Sequence, residues 1–223
     1  MQFTNCSLTL HRIFSNLIET LFSIRRYHRS ERTFKGRRTV YRTMLGNKAI
    51  VEYLKTFTPT YRHRPFANGI FPTAKIPDIV FELRKRELGK VLKLAFDCDG
   101  FVSETKSGLA VFLACKHPTL RRGYSVLLNK LGINVSEYVS GIGVFGSDDL
   151  NKFVRGISFT KGVKIGLNSR QFQGFDKREI LKRWFDNFSQ KQRQKPKGIS
   201  FFSEYLGLRF SSADYSVCDD SIG

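Results

Sequence analysis

Cysteine is scarce. The 223 residues contain 4, and no two of Cys6, Cys98, Cys115 and Cys218 stand in C-x-x-C spacing. That spacing speaks against a disulfide framework or a cysteine zinc site and predicts free thiols in a reducing compartment. The expected location is therefore cytoplasmic or organellar, not secreted. No apolar run approaches the roughly 18 residues that a spanning helix needs, so no membrane partner is expected. The N-terminus lacks a clean hydrophobic signal region ahead of a cleavage site. Acids are the third shortage. Asp and Glu total 19 against 38 Lys and Arg, a net charge of +19 with a pI near 10.1. Solubility needs far less charge than this, so a polyanionic partner is expected.

What is present suffices for a core. Hydrophobic residues make up 41% of the chain, and the length allows one large domain or two small ones. The most informative stretch is residues 92–100, L-K-L-A-F-D-C-D-G. Val91, Leu92, Leu94, Ala95 and Phe96 surround most of a helix, while Lys90, Lys93 and Asp97 share one side. Such a helix is predicted to be buried on more than one face and packed against another helix. Gly100 is expected to stop it in left-handed backbone angles. Asp99 would then sit at the base of the helix, with a strand starting at Phe101-Val102-Ser103.

The stretch resembles the motif of the LAGLIDADG homing endonucleases. Leu92, Asp97, Asp99 and Gly100 match it letter for letter. Lys93 replaces a usual small residue, and Leu94 replaces the first glycine, which lets motif helices approach closely. The flanks extend the likeness over roughly residues 70–170. Lys75-Ile76-Pro77-Asp78 resembles the run upstream of the motif. Leu150-Asn151-Lys152-Phe153 and Ile157-Ser158-Phe159 resemble the close of a repeat. A plain buried helix ending in a D-G turn is the competing reading.

In chain order, residues 8–22 form an amphipathic helix with Leu10, Phe14, Leu17, Ile18 and Leu21 on one face. Residues 14–22 can be laid on the motif, placing Glu19 at the first acid, Leu21 at the metal-binding acid and Phe22 at the glycine. Either this is a decayed first motif or a plain amphipathic helix. Residues 25–42 carry Arg25, Arg26, Arg29, Arg32, Lys35, Arg37, Arg38 and Arg42 against one acid, Glu31. Interleaved aromatics and Gly36 predict a basic hairpin. Gly46-Asn47-Lys48 and Gly146-Ser147-Asp148-Asp149 each open an apolar helix, a hint of internal duplication. On that reading the first copy lacks about one hairpin and one helix. Residues 58–78, with five prolines or glycines, read as a linker, and His63 within them reads as a surface or phosphate-contacting residue rather than a catalyst. Residues 79–87 are predicted helical. After Phe101 the pattern gives strands at residues 101–103, 108–114, 135–139 and 141–145, and helices at 118–131 and 150–157.

The expected fold is thus α/β in the α+β sense: an αββαββα repeat with antiparallel DNA-binding sheets and a shortened first repeat. The domains would be residues 1–88 (a divergent N-terminal half), 89–188 (the repeat) and 189–223 (linker and tail). The resemblance implies a DNA endonuclease that hydrolyses phosphodiesters with magnesium or another divalent cation. It places the metal at Asp99 and Gly100, with Lys161 or Lys164 near the scissile phosphates. Candidate nucleic-acid contacts are the basic residues of 25–42 together with Lys106 and Lys116. The expected partner is double-stranded DNA, bound by a monomer or homodimer. The alternative is a decayed relative or intron maturase that binds DNA or intron RNA without cleaving.

Overall fold

The computed structural model describes residues 2–25, 28–33, 39–60, 65–105, 108–166, 169 and 171–192. Arg26, Lys35, Arg37, Arg38, His63, Lys106, Cys218 and the tail from residue 193 lie outside the described residues.

The C-terminal part is built on one motif helix, α4 (Lys85–Asp99). It is followed by β4 (Gly100–Thr105), β5 (Gly108–Ala114), α5 (Pro118–Lys130), β6 (Ser136–Tyr138), β7 (Gly141–Val144) and α6 (Ser147–Gly156). This is the αββαββα order expected. The antiparallel sheet runs β4-β5-β7-β6. Val102, Leu109, Val111, Leu113, Ile142 and Val144 alternate onto its helix side, as the period of two requires. There they meet Leu88, Leu92 and Phe96 of α4, Leu127 and Leu128 of α5, and Leu150 and Phe153 of α6. The Phe96 and Phe153 rings meet edge-on at 4.8 Å, a geometry that places the positive ring edge against the negative face. A last helix, α7 (Lys177–Gln192), adds Ile180 and Leu181 to this core.

Two details differ from expectation. Residues 79–87 are not one helix: α3 (Asp78–Glu82) ends, Leu83 and Arg84 turn extended, and α4 starts anew at Lys85. Gly100 is also not left-handed; its φ of −86° and ψ of 153° are ordinary extended backbone. Its lack of a side chain serves close packing. A Cβ there would stand 2.9 Å from both Cα and Cδ1 of Phe96.

A similar close approach occurs at Gly89, where a Cβ would overlap the carbonyl oxygen of Gly156 at the end of α6. The α4–α6 crossing therefore depends on Gly89, although Leu94 occupies the motif's first glycine position and stays exposed. Gly89→Val is expected to lower stability by about 1–3 kcal/mol, as overpacking in a tight contact does. Denaturant midpoints of the two proteins check this, and an unchanged midpoint would refute the close packing.

The N-terminal part comprises β1 (Gln2–Asn5), α1 (Leu8–Phe22), β2 (His28–Thr33), β3 (Thr39–Met44) and α2 (Lys48–Lys55). Its sheet order is β1-β3-β2, all antiparallel. A separate small core joins Ile18, Leu45 and Ile50 with Phe14, Phe22, Ile24 and Leu54. The expected basic hairpin is β2–β3.

The order β1–α1–β2–β3–α2 matches β5–α5–β6–β7–α6 element for element, and β1-β3-β2 matches β5-β7-β6 in sheet order. Both connecting helices carry a side-chain N-cap on the residue three positions on: Ser7 accepts from Leu10 N–H, and His117 from Leu120 N–H. Ile50 and Leu150 are both buried in the helices that close the two units. This connectivity places α1 beside α5, a helix linking two strands, not beside α4, which precedes its sheet. Residues 14–22 are thus a plain amphipathic connecting helix. Relative to residues 85–156, the first unit lacks a leading helix and strand, not the hairpin and helix expected. The reason is β1, which pairs with β3 as β5 pairs with β7.

The end of the proline-bearing stretch, residues 71–76, packs against the repeat. The Pro72 carbonyl accepts a 2.7 Å hydrogen bond from His117 Nε2, and Ala74 and Ile76 are buried.

Candidate metal and nucleic-acid site

The two motif acids have opposite fates. Asp97 is 1% exposed, and its Oδ1 accepts the Thr160 N–H at 2.8 Å. It does not join Lys90 on a solvated side; it anchors the segment after α6 to the end of α4. Its Oδ2 is buried with no hydrogen-bond partner among the described residues. Asp99, two residues later, is exposed at the last position of α4. Gly100 follows as a buried strand residue whose N–H donates to the Phe96 carbonyl. So one acid organises the helix end internally and the other faces outward.

The helix end also holds a buried cation. The Lys177 ammonium, at the first position of α7, donates to the Asp97 carbonyl at 2.9 Å and the Phe96 carbonyl at 3.4 Å. It lies 5.3 Å from the centroid of the Phe159 ring. A cation here answers the unpaired carbonyls and negative dipole end of α4. Lys177 is buried although it opens a helix rich in Lys and Arg.

Burial pushes Lys177 down to about 8 from 10.5, while Asp97, Cys98 and Asp99 oppose the shift. Between these two values the unfolded chain binds a proton that the folded chain does not. The contribution of Lys177 to stability therefore rises with pH through that window. Relative to Lys177→Met, the wild-type protein is expected to gain about 2 kcal/mol between pH 8 and 10, given 1.36 kcal/mol per pKa unit. Urea denaturation of both proteins at the two pH values measures it. Comparing the two proteins removes the opposing titration of Tyr124 and Cys98, both raised by burial, the latter to about 12. A constant difference would show that Lys177 is solvated.

Lys161 is exposed, next to Thr160 and so next to the anchored segment, while Lys164 is exposed and lies in a lone antiparallel bridge with Asp176. Cys6, Cys98 and Cys115 are free thiols. Burial and its acidic neighbours raise the Cys98 thiol, which disfavours the thiolate form.

Among the described residues no group of three or more His, Cys, Asp or Glu side chains could hold a metal ion. Magnesium, however, is commonly held by one or two carboxylates with substrate phosphates and water. The exposed Asp99 fits a cation that shares its coordination with nucleic-acid phosphates. The position laid opposite it on α1, Leu21, has no donor and is 68% exposed, and Glu19 pairs with Arg25 at 2.7 Å.

The basic hairpin sorts its arginines by register. Arg29 stands opposite Thr43, whose hydroxyl donates to His11 Nδ1 at 2.7 Å, so Arg29 points to the α1 side. Arg32 and Arg42 lie on the other face, opposite Val40 and Ser30. Both are exposed, as is Lys116 in the turn before α5. Arg25 is exposed but lies in the turn after α1.

Compared with known families, residues 87–157 match the family model of the LAGLIDADG-like domain. The match covers α4 through α6, the whole αββαββα unit except its first two residues. Over this span the chain is similar to a LAGLIDADG-like domain. No curated protein matches the chain. No helix among the described residues is long and apolar enough to cross a membrane.

Proposed function

From a LAGLIDADG-like domain whose last motif acid faces outward, we propose a DNA-binding endonuclease of LAGLIDADG type. The observation that carries this is Asp99: exposed, at the base of a helix whose other acid, Asp97, is locked inside. A divalent cation held by Asp99 would stabilise charge on the phosphoryl oxygen and lower the pKa of a bound water. The chain's own part is positional. The buried stripe Leu88, Leu92 and Phe96 makes α4 a rigid mount, and Lys177 with Asp97 fixes its last turn. Lys161, beside that turn, is the better placed of the two lysines to meet a phosphate. The outer face of β1-β3-β2, with Arg32 and Arg42, would lie along duplex DNA. In this reading residues 1–88 form the shortened half, 89–188 the repeat and 189–223 linker and tail.

A second reading is favoured by a specific observation: one acid stands at the helix base, and no ligand cluster exists among the described residues. A decayed relative or maturase-like protein would bind DNA or intron RNA and leave it uncut. Plasmid nicking and linearisation with magnesium, on DNA carrying the native insertion site, separates the two. Cleavage supports the enzyme; tight binding without cleavage supports the binder. A homodimer would present two copies of Asp99, and sedimentation on DNA reads that directly.

A further inference from the structure

Lys161 stands on a tight turn between α6 and α7. The Val163 N–H donates to the Thr160 carbonyl at 3.2 Å, which closes a four-residue turn. Gly162 holds its third place at a φ of +86°, where a type II turn needs positive φ. Phe159 and Val163 are 0% and 1% exposed, so buried side chains flank the turn on both sides. Lys161 and Gly162, at its tip, are exposed.

Two carboxylates from distant parts of the chain hold this tip. Asp97, near the end of α4, accepts the Thr160 N–H through Oδ1 at 2.8 Å. Asp176, just before α7, accepts the Gly162 N–H through Oδ2. The two anchored N–H groups thus belong to the residues on either side of Lys161. The other oxygen of Asp176 caps α7: Oδ1 accepts the Arg178 N–H at 2.8 Å and the Glu179 N–H at 3.4 Å. Lys177 follows. Its N–H donates to the Val163 carbonyl at 3.0 Å, and its ammonium donates to the Asp97 carbonyl at 2.9 Å. These bonds form a closed circuit from α4 through the turn to α7 and back to α4. The first unit bears on it as well, since a Cβ at Gly162 would lie 3.3 Å from Thr9 Oγ1 of α1.

We infer that Asp97 and Asp176 clamp the turn so that Lys161 is held in register with Asp99, and that Asp176 is a positioning residue for the phosphate Lys161 meets. The inference rests on the proposed binding of duplex DNA, which supplies that phosphate. Capping α7 needs one oxygen, and Ser or Asn would serve as well as Asp. The second oxygen of Asp176 is used by the turn alone. The route between the two charges is short. Asp99 lies two residues past Asp97, and Lys161 one residue past the Thr160 N–H that Asp97 holds. Acid and lysine are thus mounted on one frame, as groups that act on a single phosphate require. Fixing the backbone beforehand also lowers the ordering cost when a long side chain meets its anion. Among the described residues the Lys161 ammonium has no acidic partner that would compete for it.

The test is a double-mutant cycle on the full chain, read on binding of a fluorescent duplex DNA in EDTA, so that no cleavage is needed. Asp176→Asn and Asp176→Ser each leave one oxygen to cap α7 and none for Gly162, and melting curves confirm that both fold. Lys161→Ala is expected to reduce the log–log salt slope by about one in the wild-type background. In both Asp176 variants the same change should leave the slope nearly unaltered, because the lysine is no longer held on its phosphate. Lys161→Arg, which keeps the charge, should retain the slope when Asp176 is present. With magnesium, each Asp176 variant should lower kcat about as far as Lys161→Ala does, and combining the two should lower it little further. Equal slope losses from Lys161→Ala in all three backgrounds would overturn the clamp, even if the Asp176 variants melt earlier. No slope loss in the wild-type background would overturn it too. Coupled binding without cleavage would remove the endonuclease reading and leave the clamp standing, whereas failure to bind duplex at all would overturn both.

Discussion

Asp99→Asn is expected to abolish metal-dependent cleavage while leaving DNA binding nearly intact. Asn keeps the size and hydrogen bonding of the side chain and removes the charge that a hard cation requires. Loss of metal stabilisation is worth several kcal/mol, so the rate should fall by roughly a thousandfold or more. The substitution should be cheap structurally, because Asp99 is exposed and the last turn of α4 is held by Asp97 and Lys177. Asp97→Asn is the instructive contrast. It touches the buried bond to Thr160, so it should cost stability before it costs chemistry. Plasmid linearisation with magnesium, beside melting curves, distinguishes them. Equal cleavage by wild type and Asp99→Asn would remove Asp99 from the reaction.

The motif helix, the hairpins and the αββαββα order were legible in the sequence. Each rests on local pattern: an apolar run at residues 108–114, a proline start and glycine stop around α5, and a D-G pair closing α4. The outward acid was legible too, from its place one residue before Gly100. What escaped depends on partners far along the chain. Lys177 reads as one more basic residue of a charged helix, and only the fold brings it 80 residues back to the Asp97 carbonyl. Asp97 reads as part of a lysine-bearing side because Thr160, which buries it, lies 63 residues away. Gly100 was read through its backbone freedom, whereas its close contact with Phe96 is the physical requirement. The choice between the two readings of α1 stayed open for a similar reason. Spacing alone cannot show that the four residues of β1 pair with β3 and so turn the helix into a strand connector.

Affinity for duplex DNA is expected to fall steeply with salt, and the slope should report which sheet face meets the phosphates. Neutralising Z phosphates gives a log–log slope of about −0.9Z, so six to ten contacts cost roughly 10³–10⁵ in affinity between 50 and 200 mM salt. With a net charge of +19 the chain has cations enough for a footprint of that size. The register makes the prediction residue-specific. Arg32→Ala and Arg42→Ala, on the outer face of β1-β3-β2, should each reduce the slope by about one and weaken binding across sequences. Arg29→Ala, on the same strand as Arg32 but turned to the α1 side opposite Thr43, should leave the slope unchanged. All three are exposed, so the comparison holds solvation similar and varies only the face. Anisotropy titrations at four salt concentrations would measure it. If Arg29→Ala lowers the slope as much as Arg32→Ala and Arg42→Ala do, duplex DNA is not laid along the outer face of this sheet.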